Sequence, residues 1–242
     1  MAETSRADGR APSELRPLRF VPGFIGSADG SCLVEAGRTR VICTVSIETK
    51  VPEWLSNAQR GWLTAEYAML PASTGRRKAR DGRKSVQTDG RSVEIQRLIG
   101  RALRAGIDAS LMPGLTFHVD CDVIEADGGT RVTSINGAWV ALEHAVAKAL
   151  KAKLLSQSPL CNPVAAVSVV DHGAGLYLDP DAAEDQKAAA DVNVVLAACG
   201  GVVDVQATAE RGTMAPARFA DALTLARTGI QRILELRAAH RP

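Results

Sequence analysis

Residues 117–150 read FHVDCDVIEADGGTRVTSINGAWVALEHAVAKAL. Phe117, Val119, Cys121 and Val123 alternate with His118, Asp120 and Asp122, the period-two pattern of a half-buried strand. Asp127-Gly128-Gly129 ends it. Val132, Ile135, Trp139, Leu142 and Val146 then recur at helical spacing and predict an amphipathic helix to about Leu150. A strand, a diglycine turn and a long helix in succession set the theme of a mixed α and β fold.

Upstream, Ile95, Leu98, Ile99, Ala102 and Leu103 predict another helix, with Ser92 as its N-cap and Pro113-Gly114 beyond its end. Residues 61–70 read as a strand, and residues 71–90 as a basic loop without periodicity. Residues 32–36 and 40–49 are rich in β-branched side chains, and Gly37-Arg38-Thr39 between them reads as a hairpin turn. Residues 1–13 read as a loose lead-in. Downstream, residues 164–170 form an apolar strand and 175–178 a short one. Residues 192–198 and 202–209 flank Cys199-Gly200-Gly201, a second hairpin signal. Phe219, Leu223, Ala226, Ile230 and Ile233 predict a final amphipathic helix. The strands and helices fall into two similar blocks, divided near residues 156–163, without a sequence repeat strong enough to prove duplication.

With 242 residues the chain can bury a core without disulfide or metal staples. Its five cysteines, at 32, 43, 121, 161 and 199, are odd in number and contain no CxxC pair. That argues against a disulfide framework and a thiolate zinc site, and predicts reduced thiols in the cytoplasm. The N-terminus is polar and the longest apolar run is far too short for a bilayer, so neither secretion nor membrane insertion is expected.

Four features carry chemistry. The formal net charge of +2 is small, but the basic residues cluster. Arg76, Arg77, Lys78, Arg80, Arg83, Lys84, Arg91, Arg97, Arg101 and Arg104 stand against Asp81, Asp89 and Glu94. This distribution points to a polyanion site or to a solvated loop and helix face. No aromatic residue interleaves it, so base stacking there has no sequence support. Arg91 falls at a helix start, where the macrodipole disfavours a cation unless an anion binds beside it. Gly128-Gly129-Thr130-Arg131 opens a helix with free N–H groups, a hydroxyl and a planar guanidinium, all suited to phosphate. It is not a P-loop, because the Lys-Ser/Thr pair is absent. Finally, Asp179, Asp181, Glu184, Asp185 and Asp191 form an acidic group that is either a divalent-ion site or a solvated loop. Asp120 and Asp122, on one strand face, are a weaker second pair. The four histidines form no metal constellation, and no nucleophile elbow supports a Ser-His-Asp triad.

Six stretches resemble bacterial ribonuclease PH. They are SRADGR at 5–10, GWLTAEYAMLP at 61–71, EIQRLIGRALR at 94–104, DCDVIEADGGTR at 120–131, VAAVSV at 164–169 and DVNVV at 191–195. The resemblance spans nearly the whole chain. It implies an α+β fold like the second domain of ribosomal protein S5, with two βαβα-type halves (about 14–155 and 160–240) packed as one ribonuclease PH domain. It implies a phosphate-dependent 3′-to-5′ exoribonuclease that trims tRNA precursors, takes part in rRNA processing, releases nucleoside 5′-diphosphates and runs in reverse as a nucleotidyltransferase. It also implies a homo-hexamer built as a trimer of dimers. The family's phosphate ligands fall on Arg91, Gly129, Thr130 and Arg131. Its catalytic, metal-holding aspartates fall on Asp185 and Asp191, with Mg2+ or Mn2+ as the ion. RNA contacts are expected from Arg76, Arg77, Arg80, Arg97 and Arg101.

This chain departs from the family pattern in three places. Ala72 stands where the family usually has Arg, Gln186 and an alanine run replace a Ser and a Glu between the aspartates, and Ala207 replaces a Gly. The rival from another class is a catalytically silent, RNA-binding ring subunit of an exosome-like assembly. A hydrolytic nuclease, releasing monophosphates, is the third reading.

Overall fold

The computed structural model describes residues 6–57, 59–80 and 89–242. The hairpin signal around Gly37 joins β2 (Gly30–Ala36) to β3 (Thr39–Glu48), and β1 (Leu18–Pro22) pairs antiparallel with β2 ahead of them. β4 (Trp62–Met69) leads through α1 (Gly90–Arg104) to β5 (Thr116–Glu125), which runs parallel to β4 and antiparallel to β3. Parallel neighbours need such a crossover, and α1 supplies it. α2 (Thr130–Lys151) completes a β-α-β-α unit on a sheet of order β1-β2-β3-β5-β4. The second sheet, of order β7-β6-β8-β9, is antiparallel throughout. It comprises β6 (Val164–Asp171), β7 (Leu176–Leu178), β8 (Ala190–Ala197) and β9 (Val202–Ala209), with α3 (Ala182–Lys187) before β8 and α4 (Pro216–Ala238) at the end. This is the expected α+β fold class.

Three local expectations are corrected. Ser92 does not cap α1: Asp89 does, accepting the Arg91 N–H at 3.2 Å, and Ser92 is buried in the first turn. The lead-in is not loose where it is described, because Arg6 and Arg10 are buried and bonded to the second half of the chain. And α2 is not amphipathic over most of its length, since residues 132–143 are all buried. One flank packs on β2 and β3 and the other on β6. Its apolar partners from both sheets, Val34, Cys43, Val164 and Val195 among them, belong to one cluster. Full burial of Ile135 and Leu142 stabilises by about 1.5–3 kcal/mol each.

Small residues let the layers approach. A Cβ at Gly137 would lie 2.4 Å from Val34 Cγ1 and 2.9 Å from Cys43 Sγ. On the opposite flank, Asn136 Nδ2 donates to Ala166 O at 2.8 Å while its Oδ1 accepts the Ala166 N–H at 2.9 Å, so the amide behaves as a fragment of strand against β6. α4 covers the other face of the second sheet with Ala222, Ala226, Ile230 and Ile233. Near its end, buried Arg237 donates to Val164 O at 2.6 Å over the Trp139 ring, and burial pulls its pKa down to about 10, still charged at neutral pH. No helix among the described residues is long and apolar enough to cross a membrane.

Gly137→Ala is expected to cost about 1–3 kcal/mol through overpacking, read as a lower urea midpoint with an unchanged slope. Gly75→Ala, with nothing within 4 Å of its added Cβ, serves as the neutral control.

Candidate active site

The turn between β5 and α2 requires its glycines. Gly128 and Gly129 have φ of 82° and 64°, the left-handed region. A Cβ on Gly128 would also come within 2.7 Å of Pro180 O and the Asp181 carbonyl carbon. Gly129 is the N-cap of α2 and offers no side-chain acceptor, so the first-turn N–H groups keep their affinity for an anion.

Three hydrogen bonds from two side chains pin the turn. Arg16 Nη1 donates to Asp127 O at 2.6 Å, the Thr39 hydroxyl donates to Gly128 O at 2.7 Å, and Asp127 N–H donates back to that hydroxyl at 2.9 Å. Arg16 is itself buried and paired with Asp179, at 2.6 Å from Nη2 to Oδ1 and 3.1 Å from Nε to Oδ2. Burial works to lower the Arg16 pKa, but the Asp179 carboxylate outweighs it and the pKa rises.

The acidic group sorts itself by partner. Asp179 holds Arg16. Asp181 caps α3, accepting the Glu184 N–H at 2.8 Å. Glu184 closes the capping box and receives Arg6 Nε and Nη2 at 2.7 and 2.6 Å. Burial pushes the Glu184 carboxyl up, and the Arg6 hydrogen bonds bring it below its ordinary value. Asp185 and Asp191 remain, and both line a cavity of 710 Å³ with Arg91, Thr130 and Arg131.

In that cavity Arg131 Nη1 is held by Gln206 Oε1 at 2.9 Å and Glu94 Oε1 at 3.2 Å, while Tyr67 donates to the Thr130 hydroxyl at 2.9 Å. Asp191 accepts from Asn193 Nδ2 at 2.6 Å and from the Ser168 hydroxyl at 3.2 Å. Even so its pKa is raised, first by burial and then by the charge of Asp185. Burial also raises Asp185, against the pull of Arg91 and Arg131. Two carboxylates that repel each other, within the field of two arginines, form a hard-oxygen donor pair. Mg2+ commonly takes one or two carboxylates and fills its remaining positions with water and substrate phosphates. No group of three or more His, Cys, Asp or Glu able to hold a metal occurs among the described residues.

The other candidates lie elsewhere. Arg76, Arg77 and Arg80 are exposed in the segment after β4. Asp81, Arg83 and Lys84, like Ser5, fall outside the described residues. Arg97 and Arg101 line a separate 250 Å³ pocket with Arg104, and Arg101 is ion-paired to Asp204 at 3.0 Å. Asp120 and Asp122 do not join the cavity. Burial raises both, aided by Glu66, and Arg80 acts on Asp122 in the opposite sense. Sequence reasoning missed Ser168, Asn193, Gln206, Tyr67 and Arg16. Only Asn193 carried a usable signal, two residues beyond Asp191 and so on the same strand face.

A family model described as "3′ exoribonuclease family, domain 1" matches residues 14–148, and its companion, domain 2, matches residues 162–229. Among solved structures, rice (Oryza sativa) Rrp46 is 20% identical with a TM-score of 0.79, covering 98% of this chain and 100% of that one. An Archaeoglobus fulgidus exosome with RNA bound to the active site is 21% identical with a TM-score of 0.81, covering 96% and 92%. An archaeal exosome core is 21% identical with a TM-score of 0.79, covering 98% and 92%. At these identities the likeness is one of fold.

The Asp191 carboxyl, raised on folding, adds stability while protonated, below the unfolded value of ~3.9. It loses that contribution as pH rises through its folded value. Asp191→Asn is therefore expected to melt above the wild type at pH 7, with the gap closing below about pH 4. Equal melting temperatures at pH 7 in metal-free buffer would mean that the carboxylate repulsion is already compensated.

Proposed function

The chain belongs to the 3′ exoribonuclease family, and on that premise we propose that it is a phosphate-dependent 3′-to-5′ exoribonuclease of the bacterial ribonuclease PH type. The observation that carries this reading is the meeting, in one cavity, of an anion cradle from the first half of the chain with a carboxylate pair from the second. A hydrolase needs no such cradle for water.

The first-turn N–H groups of α2, the Thr130 hydroxyl and the Arg131 and Arg91 guanidiniums hold inorganic phosphate beside the last phosphodiester of an RNA 3′ end. Gln206 and Glu94 fix the plane of Arg131, and Tyr67 fixes the Thr130 hydroxyl. A phosphate oxygen attacks the terminal phosphorus in line. The new P–O bond forms as the bond to O3′ of the preceding nucleotide breaks. That oxygen takes up the proton that the attacking hydrogen phosphate gives up, and the terminal nucleotide leaves as its 5′-diphosphate. Asp185 and Asp191 would hold Mg2+ or Mn2+, which supplies positive charge among the phosphate oxygens when bound. Phosphate is a competent nucleophile, so no general base is assigned. Positioning and electrostatics supply most of the acceleration.

Arg76, Arg77, Arg80, Arg97 and Arg101 hold the RNA body through its phosphates, hence without strong sequence reading. The reading extends to tRNA precursors as substrates, to rRNA processing, to a ring of six and to the cytoplasm. A second reading, the catalytically silent ring subunit, draws support from the exosome components among the similar folds. Arg91, Thr130, Arg131, Asp185 and Asp191 all line the cavity, which weighs against it.

RNA incubated with and without phosphate decides between them. Shortening is expected to require phosphate, saturate with it, yield nucleoside diphosphates and reverse when diphosphates are supplied. Arg131→Ala should slow both directions by about 10²-fold or more, and Asp185→Asn or Asp191→Asn should abolish turnover with RNA binding kept. Monophosphates from phosphate-free buffer would identify a hydrolase, and bound RNA without products a silent subunit. Replacing Arg77 and Arg80 by Ala should flatten the salt dependence of tRNA binding by about one phosphate contact each.

A further inference from the structure

The basic stretch holds no aromatic residue, yet the fold brings two tryptophans to its far end. Trp62 opens β4, and Trp54 sits in the 3₁₀ turn Glu53–Leu55 before it. Their rings meet edge to face, with centroids 4.9 Å apart and planes at 83°. The Arg104 guanidinium lies 4.7 Å from the Trp62 ring centroid and donates to Leu63 O at 3.0 Å. Trp54 is 64% exposed, an unusual position for so large an apolar ring.

A path joins these rings to the cavity. Arg91, Glu94, Arg97, Arg101 and Arg104 follow one another at spacings of three or four along α1, so they form a single ridge. It runs about 20 Å from the cavity to the tryptophans. Four arginines stand on it against one glutamate. Arg97 and Arg104 have no carboxylate partner among the described residues, and the 250 Å³ pocket they line with Arg101 is open to a ligand. Burial, then the charge of neighbouring Arg101, lowers the Arg104 pKa, a repulsion that a bound phosphate would relieve.

We propose that Trp54 and Trp62, with Arg104, form a nucleobase-stacking subsite for single-stranded RNA that runs along the α1 ridge from the cavity. The proposal rests on the reading that an RNA 3′ end occupies that cavity. An edge-to-face contact occupies the edge of one ring and one face of the other, so at least one face of the exposed Trp54 ring lies outside it and is left for a base. A nucleotide stacked there places its phosphate toward the unpaired guanidiniums, so ring and cation are satisfied by one ligand. A protein surface would match the exposed ring but not the surplus positive charge. Every base has a π face, so the subsite holds RNA without choosing its sequence.

The test compares wild type, Trp54→Ala and Trp54→Phe. Each is titrated with a fluorescein-labelled single-stranded oligonucleotide long enough to span the ridge, and separately with a nucleoside diphosphate, which reaches only the cavity. Trp54→Ala is expected to weaken the oligonucleotide about five-fold or more, Trp54→Phe to recover most of that, and diphosphate affinity to stay constant in all three. Unchanged oligonucleotide affinity in Trp54→Ala overturns the subsite. So does a loss that appears only together with a changed sedimentation coefficient, which would make the tryptophans a contact between copies. Wild type that binds no diphosphate would overturn the cavity assignment instead, and the subsite would still stand or fall on the Trp54 comparison.

Discussion

The buried pair of Arg16 and Asp179 is the constraint on which the site depends. Arg16 bonds a carboxylate from the second half of the chain and the carbonyls of the diglycine turn in the first. Removing one partner from such a pair strands a charge in a poor solvent, which is far more costly than never having buried it. The turn, the start of α2 and the loop before α3 are thereby held in one arrangement. That arrangement sets the open start of α2 in one cavity with Asp185 and Asp191.

The site is also organised by what is left unbalanced. Structural acids have basic partners: Asp179 has Arg16 and Glu184 has Arg6. The two aspartates in the cavity have only neutral hydrogen-bond donors or none, and burial raises both. Opposite charge faces them from Arg91 and Arg131 without an ion pair forming across the space. Guanidiniums and unpaired carboxyls thus line one space, the arrangement on which the proposed binding of phosphate and a divalent ion rests.

Much of this is legible in the sequence, for reasons that differ by element. Hydrophobic period finds β5 and the long helices because large apolar side chains mark one face. It misjudges α2, whose flank toward β2 and β3 includes Gly137, Ala141 and Ala145, residues too small to register as a core face. β1 and α3 are too short to show a period. The anion cradle is visible because its residues are consecutive. The acidic group is visible only as a group, since its sorting depends on arginines 163 and 178 positions away. The tryptophans escape notice beside the basic stretch for the same reason: Arg104 and Trp62 become neighbours only through the crossover from β4 to β5.

The layered burial of α2 has a consequence for synthesis. While the chain emerges from a ribosome, the first sheet can form with the diglycine turn attached, but one flank of α2 is then bare and the turn lacks Asp179. The carboxylates arrive with α3 and β8, and α4 must follow before the second sheet is covered. A nascent chain therefore carries the diglycine turn and the open start of α2 without Asp185 and Asp191, the acids that share their cavity. The cavity is therefore complete only once β6 has packed on that bare flank of α2.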